Sequence, residues 1–391
     1  MNMILTLNAG SSSVKFGLYC ATDKPEPEVK AKGQIDGLGL DAQLIVQIGQ
    51  GPPQKIALGS TDQATGISAI LQALAPILAG RPVSGVGHRI VHGGPNIRTP
   101  MVLNAEVLAD LRQYIPLAPL HQPHNLAAVA AAQAAFPDAL QVGCFDTAFH
   151  RDHPWVNDTF ALPRRYYAQG VRRYGFHGLS YDYITSTLAQ DYPDLAAGRV
   201  IVAHLGNGAS IAAIRDGHSI GSSMGFSALD GLPMGTRSGQ IDPGVLLYLM
   251  DHEGLSGPEI SHILYKESGL KGLSGISHDM RVLLASDAPE AAEAIEYYVF
   301  RLRREIGAMA AVLGGIDGLV FTGGIGENAA PIRAKTLSGM EFLGLELDQT
   351  ANHANGPDIG VGPVRVLVIP TNEEQVIARA TLVAVGLATT V

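Results

Sequence analysis

A short polar segment near the amino terminus carries the residue types that bind phosphate. Two β-type runs, Met3–Leu7 and Val14–Tyr19, flank a cluster of Asn, Ala, Gly and Ser, which is typical of a β-hairpin. A turn of small residues lets backbone N–H groups approach an anion closely. Because side chains alternate along a strand, Lys15 lies on the same face as Ser13. The segment predicts a phosphate cradle, with the Asn8 carboxamide left for a metal or a substrate; the alternative is an ordinary first hairpin of an α/β domain.

Composition limits what the protein can bind and where it can work. With 391 residues the chain is longer than one that folds around a single hydrophobic core, so two domains are expected. The net charge of −9 disfavours nucleic acid or an anionic membrane as a partner. Cys20 and Cys144 form no disulfide framework, which fits a reducing cytoplasm. The first apolar run breaks at Asn8 and follows no basic segment, so we expect neither a signal peptide nor a membrane partner.

The elements that must position the polar segments follow from periodicity. Helical spacing predicts helices over Gln63–Leu78, over Asn125–Phe136 beginning at its asparagine, and over Glu374–Val385. Buried-type strands are predicted over Val83–Val91 and Gln141–Phe145, each running into polar residues.

The chain also repeats its own pattern. The polar turn at Leu7–Ser12 has a counterpart at Leu205–Ser210, and a later strand in each half runs into a polar loop, at Val142–Thr147 and Gly318–Gly324. Two halves with the same order of parts indicate duplicated α/β domains, each giving one hairpin to the same phosphate chain. Chance repetition of Gly/Ser turns is the alternative.

Further motifs extend from one end of the chain to the other. They are LNAGSSSVKF (Leu7–Phe16), GHRIVHGG (Gly87–Gly94), PLAPLH (Pro116–His121), FDTAFH (Phe145–His150), RRYGFHGLSY (Arg172–Tyr181), AHLGNGAS (Ala203–Ser210), SMGFSALDGLPMGTRSG (Ser223–Gly239), FTGGIGEN (Phe321–Asn328) and TNEE (Thr371–Glu374). Together and in this order they are highly specific, and the sequence resembles the acetate kinase family of the actin, Hsp70 and sugar-kinase fold.

The resemblance implies a duplicated two-domain actin-like (ribonuclease H-like) α/β fold with an interdomain cleft. The first domain is expected over residues 1–149 and 375–391, with the acyl substrate and the metal. The second is expected over 150–374, with the nucleotide and a homodimer interface. The implied reaction is reversible, ATP-dependent phosphorylation of acetate, or another short-chain carboxylate, to acetyl phosphate and ADP. A short-chain carboxylate other than acetate would give its own acyl phosphate. The reaction is an in-line transfer assisted by Mg²⁺, with Mn²⁺ as the alternative ion.

The resemblance also implies a role for each matching residue. Catalysis is expected from Asp146, His177 and Arg237, and acyl-substrate binding from Arg89, Val91, Leu120 and Phe176. Contacts with ATP are expected from Lys15, His204, Leu205, Gly206, Asn207, Gly208, Asp279, Met280, Arg281, Gly324, Ile325, Gly326, Glu327 and Asn328. The metal is expected on Asn8 and Glu373, with Glu374 as the alternative to Glu373.

The chemistry of the acceptor explains the cationic residues. A carboxylate is already ionised at neutral pH, so it needs no strong base; it needs relief from repulsion against the phosphoryl group. Arg89, His177 and Arg237 can supply that relief, since an arginine fork matches phosphate and carboxylate oxygens. Asp146 is left with three possible roles: holding metal-bound water, orienting Arg89, or exchanging protons with phosphoryl oxygens.

Two departures from the family pattern bear on specificity. Ala228 stands where proline is common, which is expected to loosen the acyl pocket toward propionate. Gln240 stands where aspartate is common, which is expected to weaken a support for Arg237. A propionate or other short-chain acyl kinase is therefore the first alternative. A second alternative, from another class, is an actin- or Hsp70-like ATPase scaffold without dependence on a carboxylate.

Overall fold

The computed structural model describes residues 2–10, 13–21 and 26–387, so Ser11 and Ser12 of the predicted cradle lie outside the described residues. The strands within these ranges are β1 (Met3–Ala9), β2 (Ser13–Cys20), β3 (Glu28–Asp36), β4 (Ala42–Ile48), β5 (Gln54–Gly59), β6 (Val83–Ile90), β7 (Met101–Val102), β8 (Leu140–Phe145), β9 (Arg199–Leu205), β10 (Ala209–Arg215), β11 (His218–Ser222), β12 (Gly318–Thr322) and β13 (Arg365–Val368).

The helices in the same ranges are α1 (Gln63–Leu78), α2 (Ala105–Gln113), α3 (Gln122–Ala135), α4 (Trp155–Asp158), α5 (Arg164–Ala168), α6 (Gly178–Asp191), α7 (Pro193–Ala196), α8 (Pro243–Asp251), α9 (Gly257–His262), α10 (Gly269–Ser274), α11 (Met280–Leu284), α12 (Pro289–Leu313), α13 (Gly323–Asn328), α14 (Ala330–Leu337), α15 (Gln349–His353) and α16 (Glu373–Ala384). None of the helices in the described part of the chain is both long and apolar enough to cross a membrane.

The chain divides into two compact units. Unit 1 comprises Met1–Arg151 together with Asn372–Val391, and unit 2 comprises Asp152–Thr371. The second boundary falls at Asn372, which caps α16 by accepting a hydrogen bond from the Gln375 amide, so Glu373 belongs to unit 1. The sequence-based boundary lies after residue 374, two residues inside this helix, because composition alone does not show where a helix docks.

Unit 1 is a sheet covered on both faces. The strand order is β5-β4-β3-β2-β1-β6-β8-β7, with β1 antiparallel to β2 and parallel to β6. Alternate residues of β1 explain the layering: Met3, Leu5 and Leu7 pack into the core formed with α1 and α3, whereas Ile4 packs against Leu382 of α16. Asn8 follows in the same alternation and therefore faces the α16 side.

Unit 2 repeats the central strand order of unit 1. Its sheet runs β11-β10-β9-β12-β13, an antiparallel meander followed by two parallel strands. The corresponding order in unit 1 is β3-β2-β1-β6-β8, with the same strand directions. This confirms the predicted duplication of the hairpins. The second predicted correspondence is wrong: β12 holds the topological place of β6, and β8 corresponds to β13.

Most predicted elements are confirmed at their predicted places. Helix α1 spans Gln63–Leu78 because Asp62 caps its first turn through a hydrogen bond from the Thr65 amide. Helix α3 begins at Gln122 rather than at Asn125, because Pro123 occupies the first turn, where a missing N–H costs nothing. The glycine-rich stretch after β12 also forms a short helix, α13, instead of a loop.

Candidate active site

Asn8 and Lys15 mark the polar end of the first hairpin. They are directly opposite each other in the antiparallel β1–β2 register, so their side chains share one face. The Gly10 amide donates a 2.8 Å hydrogen bond to the Ser13 carbonyl and closes the turn. Lys15 is exposed. The hairpin therefore presents a carboxamide and an ammonium on the α16 side of the sheet.

Glycines in β6 bring α16 close to this face. A Cβ added to Gly87 would lie 2.2 Å from Thr381 Oγ1, and one added to Gly85 would lie 2.8 Å from Thr381 Cγ2. Arg89 is the next residue of that strand face, and Glu373 precedes Thr381 by two helical turns. Close packing of α16 on the glycines of β6 thus places Glu373 near Arg89. The distance from Arg89 Nε to Glu373 Oε2 is 3.8 Å.

Arg89 and Asp146 form a two-point ion pair. Arg89 Nε and Nη2 donate to Asp146 Oδ1 and Oδ2 at 2.9 and 2.6 Å. Arg89 Nη1 also donates to Asn8 Oδ1 at 3.2 Å, and Asn8 Nδ2 donates to Glu373 Oε2 at 3.3 Å. Burial disfavours the Arg89 charge, but Asp146 and Glu373 outweigh it and raise the pKa of Arg89 above its ordinary value. The structure thus brings together Asn8, Arg89, Asp146 and Glu373.

The buried side-chain amides of Asn125 and Gln122 hold the chain segments around Arg89. Neither residue is among the sites predicted from the sequence. The Asn125 side chain accepts from the Val91 amide at 2.9 Å and donates to the Ala9 carbonyl at 2.7 Å. The Gln122 side chain accepts from the His92 amide and donates to its carbonyl. Val91 is buried and Leu120 half-buried. The signal available in the sequence was polar residues on the apolar face of an alanine-rich helix.

In unit 2, two imidazoles stack beside the β9–β10 hairpin. The rings of His177 and His204 have centroids 4.3 Å apart and an interplanar angle of 21°. His177 Nδ1 lies 2.8 Å from Ser210 Oγ, and His204 Nδ1 lies 2.8 Å from Ser180 Oγ. The preceding residue, Phe176, is buried. Both histidines, but neither serine partner, are expected from the sequence.

His177 and Arg237 converge on one glycine. A Cβ added to Gly208 would lie 3.1 Å from His177 Nε2 and 3.8 Å from Arg237 Nη1. Arg237 Nη1 donates to the Ala228 carbonyl at 3.2 Å. A side chain at residue 208 would therefore occupy the space in front of both nitrogens, which explains why this turn contains glycine.

A cavity of about 560 Å³ lies next to this turn, entirely within unit 2. Its lining includes Gly206, Asn207, Asp279, Met280, Arg281, Gly324, Ile325 and Asn328, all predicted to contact ATP. It also includes His278, Leu284, Ala329 and Pro331, which the motif match left out. The size is that of a pocket for a small organic ligand. A hydrogen bond from Arg281 lowers the pKa of Asp279 to about 2, so this rim carboxylate is ionised at neutral pH.

Three other residues predicted to contact ATP, Leu205, Gly326 and Glu327, are not part of the cavity lining. Leu205 is fully buried in β9, and Gly326 is buried against the Phe321 and Ala203 backbone. Glu327 Oε1 accepts from the amides of Gly323 and Thr371 at 2.9 and 3.2 Å. Their contacts are with the protein backbone, so their predicted contact with ATP stays a prediction.

Gln240 contacts a different set of arginines from the one expected. Its side-chain oxygen accepts hydrogen bonds from Arg301 and Arg304 of α12. Glutamine in place of the family's aspartate therefore affects the contact with α12 and not Arg237. A glutamine oxygen accepts hydrogen bonds from arginine without forming an ion pair.

Metal-binding capacity is limited in the residues described. They contain no group of three or more His, Cys, Asp or Glu side chains able to hold an ion together. The side chains of Asn8 and Glu373 are in contact, with Asn8 Nδ2 donating to Glu373 Oε2, and each carries an oxygen of the kind that Mg²⁺ prefers. Mg²⁺ needs only one or two protein ligands beside water and phosphate. The pair fits Mg²⁺ in ligand type and number.

Comparison with known proteins identifies a phosphotransferase that acts on a carboxylate. A model of the acetokinase family matches residues 3–379, and the chain belongs to that family. An acetate kinase from Methylocella silvestris is 54% identical over 97% of this chain and 97% of its own. The crystal structure of Porphyromonas gingivalis acetate kinase has a TM-score of 0.87 at 39% identity, covering 98% of this chain and 99% of its own. A propionate kinase from Francisella tularensis has a TM-score of 0.91 at 36% identity, covering 97% and 99%. These structures confirm the actin-like fold class.

Proposed function

We propose that this chain catalyses reversible transfer of the γ-phosphoryl group of ATP to acetate. One observation carries the proposal beyond the family match: His177 Nε2 and Arg237 Nη1 both lie beside Gly208, and the same turn lines the 560 Å³ cavity through Gly206 and Asn207. Nucleotide bound in that cavity would place its phosphates near two hydrogen-bond donors. Charge neutralisation of this kind is the main requirement of phosphoryl transfer.

The unit 1 residues are assigned to the acceptor. Arg89 would bind the acetate carboxylate, and Val91 and Leu120 would contact its methyl group. Phe176 belongs to unit 2, and its role stays a prediction from the family resemblance. Both Asp146 oxygens bond to Arg89, so Asp146 serves best as the group that orients the guanidinium. That choice among its three possible roles agrees with an acceptor that has no proton to lose.

Asn8 and Glu373 would hold Mg²⁺. The ion, when bound, would neutralise phosphate charge during transfer. Arg89 Nη1 donates to Asn8 Oδ1, and Arg89 Nε lies 3.8 Å from Glu373 Oε2, so the guanidinium lies beside both proposed ligands. Lys15, across from Asn8, would contribute to the field felt by the phosphates.

Propionate is the second candidate substrate. Ala228 at the Arg237 contact and the similarity to a propionate kinase favour it. The deciding experiment is a panel of acetate, propionate, butyrate and no acid, with ATP and Mg²⁺, trapping acyl phosphate as hydroxamate. We expect the highest kcat/KM for acetate and no turnover without acid. A markedly higher kcat/KM for propionate would replace acetate as substrate, and acid-independent ATP hydrolysis would indicate the ATPase alternative.

We also propose a homodimer in the cytoplasm. Helix α8 buries none of its residues in the described chain and exposes Val245, Leu247, Tyr248 and Met250. An exposed apolar helix of this kind is typical of a protein–protein interface. Light scattering should give twice the 41.1 kDa chain mass, and Leu247→Glu with Tyr248→Glu should halve it. Both cysteines are buried thiols, in keeping with a reducing compartment.

A further inference from the structure

Behind His177 lies a pair of hydroxyls that the proposed reaction does not use directly. Ser210 Oγ is 2.8 Å from His177 Nδ1 and 2.5 Å from the Tyr181 hydroxyl. Ser210 and Tyr181 are both fully buried. The three side chains come from β10, α6 and the residue that precedes α6, so the contact joins the sheet to the start of the helix.

The backbone of His177 is held in an uncommon conformation. Its φ is +58° and its ψ is 23°, the left-handed region that residues other than glycine rarely adopt. Such residues persist where the surroundings fix them, and they cluster at functional sites. Here the conformation turns the imidazole toward the β9–β10 hairpin, where it stacks on His204. The stack fixes the plane of the ring but does not decide which nitrogen carries the hydrogen.

The hydroxyl pair can decide it. A phenol is a better donor than an alcohol, and burial raises the pKa of Tyr181, so its hydroxyl keeps its hydrogen. When Tyr181 donates to Ser210, the Ser210 hydrogen is directed at His177 Nδ1. Nδ1 then accepts, and the ring hydrogen resides on Nε2, the atom that faces Gly208.

We propose that Ser210 is a positioning residue that holds His177 with Nε2 protonated, and that Tyr181 orients Ser210 for this task. In this state Nε2 is a donor aimed at the turn where the phosphates would lie. In the opposite tautomer Nε2 would present a lone pair to an anion, which is repulsive. The functional part of the inference rests on the proposed phosphoryl transfer, but the tautomer itself does not.

The tautomer is measured on the nucleotide-free, full-length chain labelled with ¹⁵N-histidine. Long-range ¹H–¹⁵N correlations distinguish the two neutral forms, and loss of one signal set in His177→Gln assigns them. We expect the Nε2–H form in the wild type and a mixture in Ser210→Ala. The NMR measurement of the tautomer does not depend on turnover, so its result is valid even if the chain fails to phosphorylate acetate.

Kinetics then tests whether the tautomer matters. Ser210→Ala should lower kcat roughly 10- to 100-fold, the size of the effect when a metal-binding histidine loses its hydrogen-bond partner, with KM values changed less than about threefold. Tyr181→Phe should lower kcat less. In the His177→Gln background, Ser210→Ala should have no further effect, since its action passes through His177.

Matched controls exist for both substitutions. Ser222 and Tyr298 are buried hydroxyl residues of unit 2 whose oxygens have no hydrogen-bond partner among the described residues. Ser222→Ala and Tyr298→Phe should keep wild-type kcat and the wild-type His177 tautomer. The proposal is overturned if Ser210→Ala leaves the tautomer unchanged, or if its loss of kcat adds in full to that of His177→Gln. Should Ser210→Ala not fold, Tyr181→Phe decides on the same two criteria.

Discussion

Arg89 and Asp146 face each other through two parallel N–H···O contacts of 2.9 and 2.6 Å. The arginine comes from β6 and the aspartate directly follows β8, which are neighbouring parallel strands, so both side chains leave the same edge of the sheet. With its side chain only 2% exposed, Asp146 has little other surface to offer a substrate. We therefore predict that Asp146 acts through the guanidinium of Arg89.

Asp146→Asn should disorient Arg89. The amide nitrogen would face one guanidinium nitrogen, donor against donor, and we expect kcat/KM for acetate to fall about 100-fold, mostly through KM. Unfolding free energy should drop by about 1–3 kcal/mol because a charge-assisted pair is lost. Steady-state kinetics and urea unfolding measure both. Asp138→Asn, an exposed carboxylate of the same unit, is the control. A selective loss of kcat with normal acetate KM would instead assign Asp146 to proton exchange.

Gln240→Asp should leave catalysis unaltered. The residue is exposed and contacts Arg301 and Arg304, so an aspartate there would form exposed ion pairs worth about 0–1 kcal/mol. We expect kcat within about twofold of wild type and a slight rise in melting temperature. A severalfold gain in kcat would revive the sequence-based idea that residue 240 supports Arg237.

Ala228→Pro should shift substrate preference. Proline keeps the carbonyl that accepts from Arg237 Nη1, so the arginine contact survives while the side chain grows. A pocket that rejects one methylene typically discriminates by about 1–3 kcal/mol. We expect the acetate-to-propionate ratio of kcat/KM to rise, measured with the same hydroxamate assay. An unchanged ratio would remove residue 228 from the acyl pocket.

His88 should make unit 1 sensitive to mild acid. It is buried beside Arg89 in β6 and bonded to Gln141 at 2.8 Å, and burial lowers its pKa from 6.5 to about 4 despite that hydrogen bond. Between pH 4 and pH 6.5, His88 is protonated in the unfolded chain but neutral in the folded chain. Unfolding free energy should therefore fall as pH drops from 6.5 toward 4, by about 1.4 kcal/mol per pH unit for this residue.

The check is urea unfolding at several pH values, followed by circular dichroism. His88→Asn should flatten the dependence over this interval relative to wild type. An identical slope in both proteins would show that the acid sensitivity has another source.

Local rules predicted the elements well and the long-range contacts poorly. Helix α1 could be predicted to the residue, because its cap and its apolar spacing are both local. The start of α3 could not, since Pro123 is compatible with a loop and with a helical first turn. Gln122 and Asn125 were missed because their partners lie far along the chain, at His92, Val91 and Ala9.

The same limit applies to the sites. The motif match indicated Asn8, Arg89, Asp146 and Glu373 separately, and only the packing of α16 on the glycines of β6 shows why they meet. Ser210 lies inside a quoted motif, but its task depends on the side-chain direction of His177, which a positive φ sets. Their assigned roles in binding and catalysis remain predictions.

The division of unit 1 into two distant segments has a consequence for biosynthesis. Asn8, Arg89 and Asp146 leave the ribosome early, whereas Glu373 and the helix that seals one face of their sheet emerge only after all of unit 2 has been translated. Unit 2 can complete its own sheet during synthesis. Until α16 is synthesised, the face of the unit 1 sheet on which this helix packs stays uncovered. Chaperone dependence should therefore concentrate in the first unit, and ribosome-stalled chains ending before residue 372 should expose it to proteases.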